Sequence, residues 1–87
     1  MKKAIRFTAK WCQPCKAYTP VWDDVKQEYT EWEWEVVDVT SDVDSTKKYN
    51  VTSIPATIIE VDGEVVDRKA GLLNKPDLRK LIEAHNK

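Results

Sequence analysis

Two cysteines, two glycines and a single histidine are the scarce residues of this 87-residue chain, and each scarcity excludes something. Two cysteines allow at most one intrachain bridge, which rules out the disulfide-dense framework of many small secreted domains. One chain offers only Cys12, Cys15 and a distant His85 as sulfur or nitrogen ligands, one short of a four-coordinate zinc site. A symmetric dimer sharing two Cys pairs would still supply four, so that alternative stays open. Few glycines, with 41% hydrophobic and 33% charged residues, set the chain apart from fibrous and disordered classes. Neither sign of charge dominates: 14 basic and 15 acidic residues are interleaved, for a formal net charge of -1. There is no basic stripe to follow nucleic acid and no acidic tail. No stretch approaches the roughly 18 apolar residues of a membrane span. Met1–Phe7 carries two lysines but not the apolar run of a signal peptide. No nucleic-acid or membrane partner is expected, and the expected location is the cytoplasm, where disulfides are usually transient and catalytic.

What is present is a small aromatic-rich core: four Trp, three Tyr and one Phe. The length corresponds to a single domain, residues 1–87. Ala4–Thr8 reads as a strand, and a helix is expected to begin within Trp11–Cys15. That helix carries an apolar stripe at Tyr18, Val21, Trp22, Val25 and Tyr29, with Pro20 inside it as a kink. Trp34–Val39 reads as a second strand and Ser45–Tyr49 as a short helix. Ala56–Val61 and Glu64–Lys69 form a hairpin about Asp62-Gly63. Asn74 caps a last helix, with Pro76 and Asp77 in its first turn and Leu78, Leu81, Ile82 and His85 on one face. The order βαβαββα makes an α/β fold with a four-stranded mixed sheet flanked by helices on both faces. Its βαβ half is parallel and right-handed, and its reactive loop lies beyond the C-terminal end of the first strand. Cys12 falls in that loop.

Thiol–disulfide exchange needs a thiolate, an accessible sulfur and a second thiol near enough to resolve a mixed disulfide. Cys12-Gln13-Pro14-Cys15 at a helix N-terminus can meet all three requirements. Free N–H groups and the positive end of the helix dipole favour the Cys12 thiolate. Cys15 lies one turn further in, and Pro14 stiffens the pair between them. A structural role is the weaker reading, because so small a loop removes little entropy from the unfolded chain. Two inert cysteines would be a coincidence of spacing.

Ala9-Lys10-Trp11-Cys12-Gln13-Pro14-Cys15-Lys16 resembles the active-site motif of the thioredoxins. Pro20 matches their helix kink, Ser53-Ile54-Pro55-Ala56 the loop opposite their cysteines, and Asp62-Gly63-Glu64-Val65 and Ala70-Gly71 their hairpin turn and late glycine. The resemblance spans nearly the whole chain. It implies a thioredoxin-like fold in the minimal form of short archaeal or phage members, without the strand and helix with which the family usually begins. It implies Cys12 and Cys15 as catalytic residues and Trp11, Gln13, Pro14, Ile54, Pro55 and Gly71 as the substrate-binding surface. Ile54–Pro55 would be a cis peptide, although a bare X-Pro bond is more often trans, and would leave the Ile54 backbone free to pair with an extended substrate. Gly71 would allow close backbone approach. From the residues alone, Trp11 reads equally as core and Gly71 as an ordinary turn.

Three positions depart from the family pattern. Gln13 stands where glycine is usual. Arg6 stands where a buried aspartate is usual, six residues before Cys12, and the aligned lysine is lost near Val36. A guanidinium cannot accept a proton, so the usual relay for Cys15 is missing. Facing inward, Arg6 would modulate Cys15 by favouring its thiolate; snorkelling outward, it would be a solvated strand residue, which is the reading adopted from sequence. Asp38 reads as a solvated strand-end carboxylate, His85 as a surface or dipole-complementing residue, and Trp32 and Trp34 as core.

The expected protein is a monomeric thioredoxin-type protein-disulfide reductase that needs no cofactor. Its partners would be disulfide-containing proteins, ribonucleotide reductase among the candidates, and a thioredoxin reductase or similar electron donor. A glutathione-linked glutaredoxin-like reductase is the alternative within redox chemistry, and a docking subunit without turnover the alternative outside it. Against glutaredoxin stand Trp11, Pro14 and the lack of a Gly-Gly pair after Pro55.

Overall fold

β1 (Lys2–Thr8) is the strand about which the sheet is assembled. It pairs in parallel with β2 (Glu33–Asp38) and antiparallel with β3 (Ala56–Val61), which pairs antiparallel with β4 (Glu64–Ala70). The computed structural model describes residues 1–86, and its strand order is β2-β1-β3-β4. α1 (Gln13–Lys26) is the crossover from β1 to β2, α2 (Val43–Lys48) precedes β3, and α3 (Lys75–Ala84) follows β4. None of these helices is long and apolar enough to cross a membrane.

The two-residue alternation of β1 divides the core. Ile5 and Phe7 pack with Ile58, Ala56, Val37 and Tyr49 on the α2 face. Ala4 joins Tyr18, Trp22, Val25, Ile59 and Leu78 on the face covered by α1 and α3. Three tryptophans close one end of that layer: the Trp22 and Trp34 rings meet edge-on at 5.0 Å, and Trp32 lies 6.4 Å from Trp34. The Trp32 and Trp34 indole N–H groups donate to Asn86 Oδ1 and the Tyr29 carbonyl, each at 3.0 Å.

Local chemistry sets the element ends. α2 begins earlier than the sequence expectation because Asp42 Oδ1 accepts the Ser45 N–H at 3.0 Å and caps the turn. Asn74 Oδ1 does the same for Asp77 N at 2.9 Å, where α3 was expected to start. α1 ends at Lys26, so Tyr29 leaves the helix but still packs on the core. Pro20 lies inside α1 at an exposed position. Asp62 and Gly63 both take positive φ, 53° and 86°, as a tight two-residue hairpin requires. His85 is the C-cap of α3, not a member of its apolar face, and its Nε2 lies 3.1 Å from Asp67 Oδ2 on β4.

Ile59 on β3 is fully buried beneath the α1/α3 layer, so Ile59→Ala should remove about 2–5 kcal/mol of stability. Urea unfolding should show a lowered midpoint with an unchanged slope; an unmoved midpoint would contradict this division of the core.

Candidate active site

Beyond the end of β1 a short loop, residues 9–12, leads into α1, and Cys12 is that helix's N-cap, with φ -91° and ψ 109°. Its Sγ accepts the Cys15 backbone N–H at 3.2 Å. A helix N-terminus presents N–H groups with no partner inside the helix, and here one is aimed at sulfur. Pro14 occupies the first turn, where its missing N–H costs nothing. Cys12 and Cys15 form a disulfide, with Cα atoms 5.2 Å apart. Ala9, Val39 and Ile54 pack against the pair. Cys12 is 6% exposed and Cys15 only 1%, so Cys12 is the more accessible of the two residues.

The residues expected to bind substrate gather around this pair. Trp11 is 69% exposed, which removes the core reading, and with Val39, Val51 and Ile54 it lines a shallow groove of about 180 Å³ beside Cys12. Gln13 and Pro14 are exposed on the helix end. The Ile54–Pro55 peptide is cis and Pro55 is buried. Gly71 N–H donates to the Pro55 carbonyl at 2.8 Å, which fastens the glycine to the proline loop. Gly71 has φ +91°, and the space a Cβ would take there is empty within 4 Å.

Arg6 corrects the sequence reading: it is not a solvated residue but only 6% exposed. Position 6 shares the face of Ala4, which α1 covers, so the stem has no short route to water. The guanidinium instead lies 5.6 Å over the Trp22 ring, and its Nη1 donates to Thr19 Oγ1 at 3.0 Å. Arg6 Nε is buried with no hydrogen-bond partner, and no carboxylate among the described residues lies within ion-pair distance. Opposite Arg6 on β3 stands buried Thr57, whose hydroxyl lies 2.7 Å from Tyr18 OH. A small polar patch therefore sits inside the α1 layer, behind the cysteines.

A second opening reaches the other side of the disulfide. Thr8, Lys10, Lys16, Thr19 and Asp38 line a cleft of about 460 Å³ with Cys15 in its wall. Asp38 Oδ1 accepts from Thr40 N at 2.9 Å and Thr40 Oγ1 at 2.6 Å, and these bonds hold its carboxyl below the usual range. Sequence reasoning missed Thr19, Lys10 and Lys16. Thr19 was detectable, since it lies one helical turn after Cys15 on the same face. Among the described residues no group of three or more His, Cys, Asp or Glu side chains is arranged to hold a metal ion.

The family profile described as Thioredoxin matches residues 2–84. The thioredoxin of Chlamydia trachomatis is 41% identical over 81 residues, covering 93% of this chain and 79% of that protein. The Bacillus subtilis thioredoxin is 38% identical over 80 residues, covering 91% of this chain and 77% of its own. Among solved structures, Fasciola hepatica thioredoxin superposes with a TM-score of 0.91 at 34% identity, covering 97% of this chain and 80% of that one.

Burial pushes the Tyr18 hydroxyl up to about 12, against the opposing pull of its Thr57 bond and Arg6. A phenol whose folded value exceeds its unfolded value of about 10 contributes stability below pH 10 that is lost as pH rises towards 12. Alkaline unfolding should begin above pH 10, and Tyr18→Phe should blunt that loss. Unchanged alkaline unfolding in Tyr18→Phe would contradict the assignment.

Proposed function

This chain belongs to the thioredoxin family and is a thiol–disulfide oxidoreductase of the protein-disulfide reductase type; from that premise we propose that Cys12 attacks and Cys15 resolves. The observation that supports this division is the Cys15 N–H aimed at Cys12 Sγ, with the more accessible cysteine at the cap and the other sealed beneath it. A helix N-terminus favours an adjacent anion by about 0.3–1 kcal/mol, and by more when partly buried. That is enough to raise the Cys12 thiolate fraction several-fold at neutral pH.

In the reduced protein the Cys12 thiolate attacks one sulfur of a substrate disulfide, and the other leaves as a thiolate. Cys15, deprotonated, then attacks Cys12 Sγ, expelling the second substrate thiolate and forming the Cys12–Cys15 disulfide. Two electrons pass from the dithiol to the substrate. Trp11, Gln13, Pro14 and Ile54 form the docking surface in this reading, with the Ile54 backbone pairing to an extended substrate segment. Pro55 and Gly71 shape its floor, and the empty space at Gly71 suits a closely approaching chain. We assign a thioredoxin reductase as electron donor and disulfide-bearing proteins as targets, with a ribonucleotide reductase as one candidate, at work in the cytoplasm.

Cys15→Ser should accumulate stable mixed disulfides with target proteins, and Cys12→Ser almost none, as read by non-reducing electrophoresis. Equal trapping by the two variants would overturn the assignment. Insulin reduction should run with thioredoxin reductase and NADPH and lag with glutathione as donor; the reverse order would favour the glutathione-linked reading.

A further inference from the structure

We propose that Arg6 is a positioning residue for the resolving step, a buried cation held behind Cys15 through Thr19 that favours the Cys15 thiolate. The proposal rests on Cys15 being the resolving sulfur, and it goes further by naming what makes that buried thiol reactive.

Burial alone works against resolution. A thiol 1% exposed holds its proton more tightly than a free one, because an isolated anion is costly to create in a poorly solvated site. Yet Cys15 must become a thiolate to attack Cys12 Sγ. The structure supplies a compensating charge. Thr19 Oγ1 accepts from Arg6 Nη1 at 3.0 Å and donates to the Cys15 carbonyl at 3.4 Å, so one hydroxyl joins the guanidinium to the resolving residue. Cys15 and Thr19 are four residues apart on α1, a spacing that sets side chains about 5–6 Å apart. The guanidinium thus stands two hydrogen bonds from the Cys15 main chain, close enough for its charge to act on a poorly solvated anion at that residue.

The cation is also underused. Its Nε has no hydrogen-bond partner, and the Trp22 face and the Thr19 hydroxyl are neutral. The groups facing it are Tyr18 and Asp23 from α1 and uncharged Thr57 from β3. Tyr18 stays protonated at neutral pH, and Asp23, exposed on α1, attracts the guanidinium without pairing with it. The cleft completes the arrangement, since it brings water up to the wall that Cys15 helps to form between Lys10, Lys16 and Asp38, while the residue itself stays buried. The Cys15 proton leaves to water in this cleft, the Cys15 sulfur bonds to Cys12 Sγ, and the Cys12–substrate bond breaks. The released substrate thiolate takes a proton from solvent. No side-chain base is required, because the charge that stabilises the product of deprotonation is already in place.

The test uses Arg6→Gln, which keeps a donor for Thr19 Oγ1 but removes the charge, and Arg6→Lys, which keeps the charge. In a Cys12→Ser background, where one thiol titrates, the Cys15 midpoint should rise by about one pH unit with glutamine and little with lysine. This reads the coupling whether or not Cys15 resolves, while Cys15→Ser trapping reads the resolving role by itself. With both cysteines present, the rate of mixed-disulfide resolution should climb with pH along a limb displaced upward by the same amount in Arg6→Gln. At neutral pH tenfold less thiolate, partly offset by its greater nucleophilicity, leaves a slowing of about three- to fourfold. Equal displacement by glutamine and lysine, or none by glutamine, would overturn the proposal. If Arg6→Gln does not fold, the Cys15 midpoint in the Arg6 protein decides. A value at or below that of free cysteine, about 8.5, supports the cation, and a value well above it overturns the proposal.

Discussion

A single main-chain contact, the Cys15 N–H donating to Cys12 Sγ at 3.2 Å, ties the chemistry of this molecule to its fold. It exists because α1 starts a short loop after β1, with Cys12 as its cap, so one unpaired donor of the first turn is aimed at sulfur. The parallel β1–β2 pairing requires a crossover helix, and that crossover is α1. The placement of the reactive sulfur is therefore a consequence of how the sheet is wound. Thiol reactivity follows from the same geometry, since the helix end stabilises an anion at Cys12 but offers less to Cys15, a turn further inside.

That asymmetry sets the problem that the α1 layer has to solve. Cys15 is buried with Cys12 in a cluster that Ala9, Val39 and Ile54 pack, and it forms part of the wall of the cleft. Beneath it lies a polar patch of Arg6, Thr19, Tyr18 and Thr57 inside an otherwise apolar layer. A buried guanidinium without a paired carboxylate is expensive in stability terms, and the face of the Trp22 ring and one hydroxyl offset only part of the cost. Its place behind the redox pair makes sense as an electrostatic device, one whose benefit appears when the disulfide opens and a sulfur becomes anionic.

Much of this was legible in the sequence. The order βαβαββα, the Asp62-Gly63 hairpin, the Asn74 cap and the Cys12-Gln13-Pro14-Cys15 helix start are local signals, carried by residues that act on their own neighbours. The residues proposed to face substrate were named from the sequence too, although Trp11 needed the fold to separate an exposed indole from a core one. Arg6 failed for a definite reason. Long charged side chains usually find water, and the sequence does not show that α1 covers position 6 closely enough to deny it that route. The alternation of β1 did place Arg6 on Ala4's face, but burial there depends on Trp22 and Thr19, 16 and 13 residues away in sequence. The cleft onto Cys15 was hidden for the same reason, being assembled from β1, α1 and the end of β2.

The most direct test of the account is the order in which the reduced protein's two thiols react with iodoacetamide across pH, followed by mass spectrometry of the modified peptides. The geometry predicts that Cys12 is alkylated first at every pH, with a midpoint below the roughly 8.5 of free cysteine, while Cys15 lags. Simultaneous alkylation of both sulfurs with an ordinary midpoint would mean that the helix end does not activate Cys12.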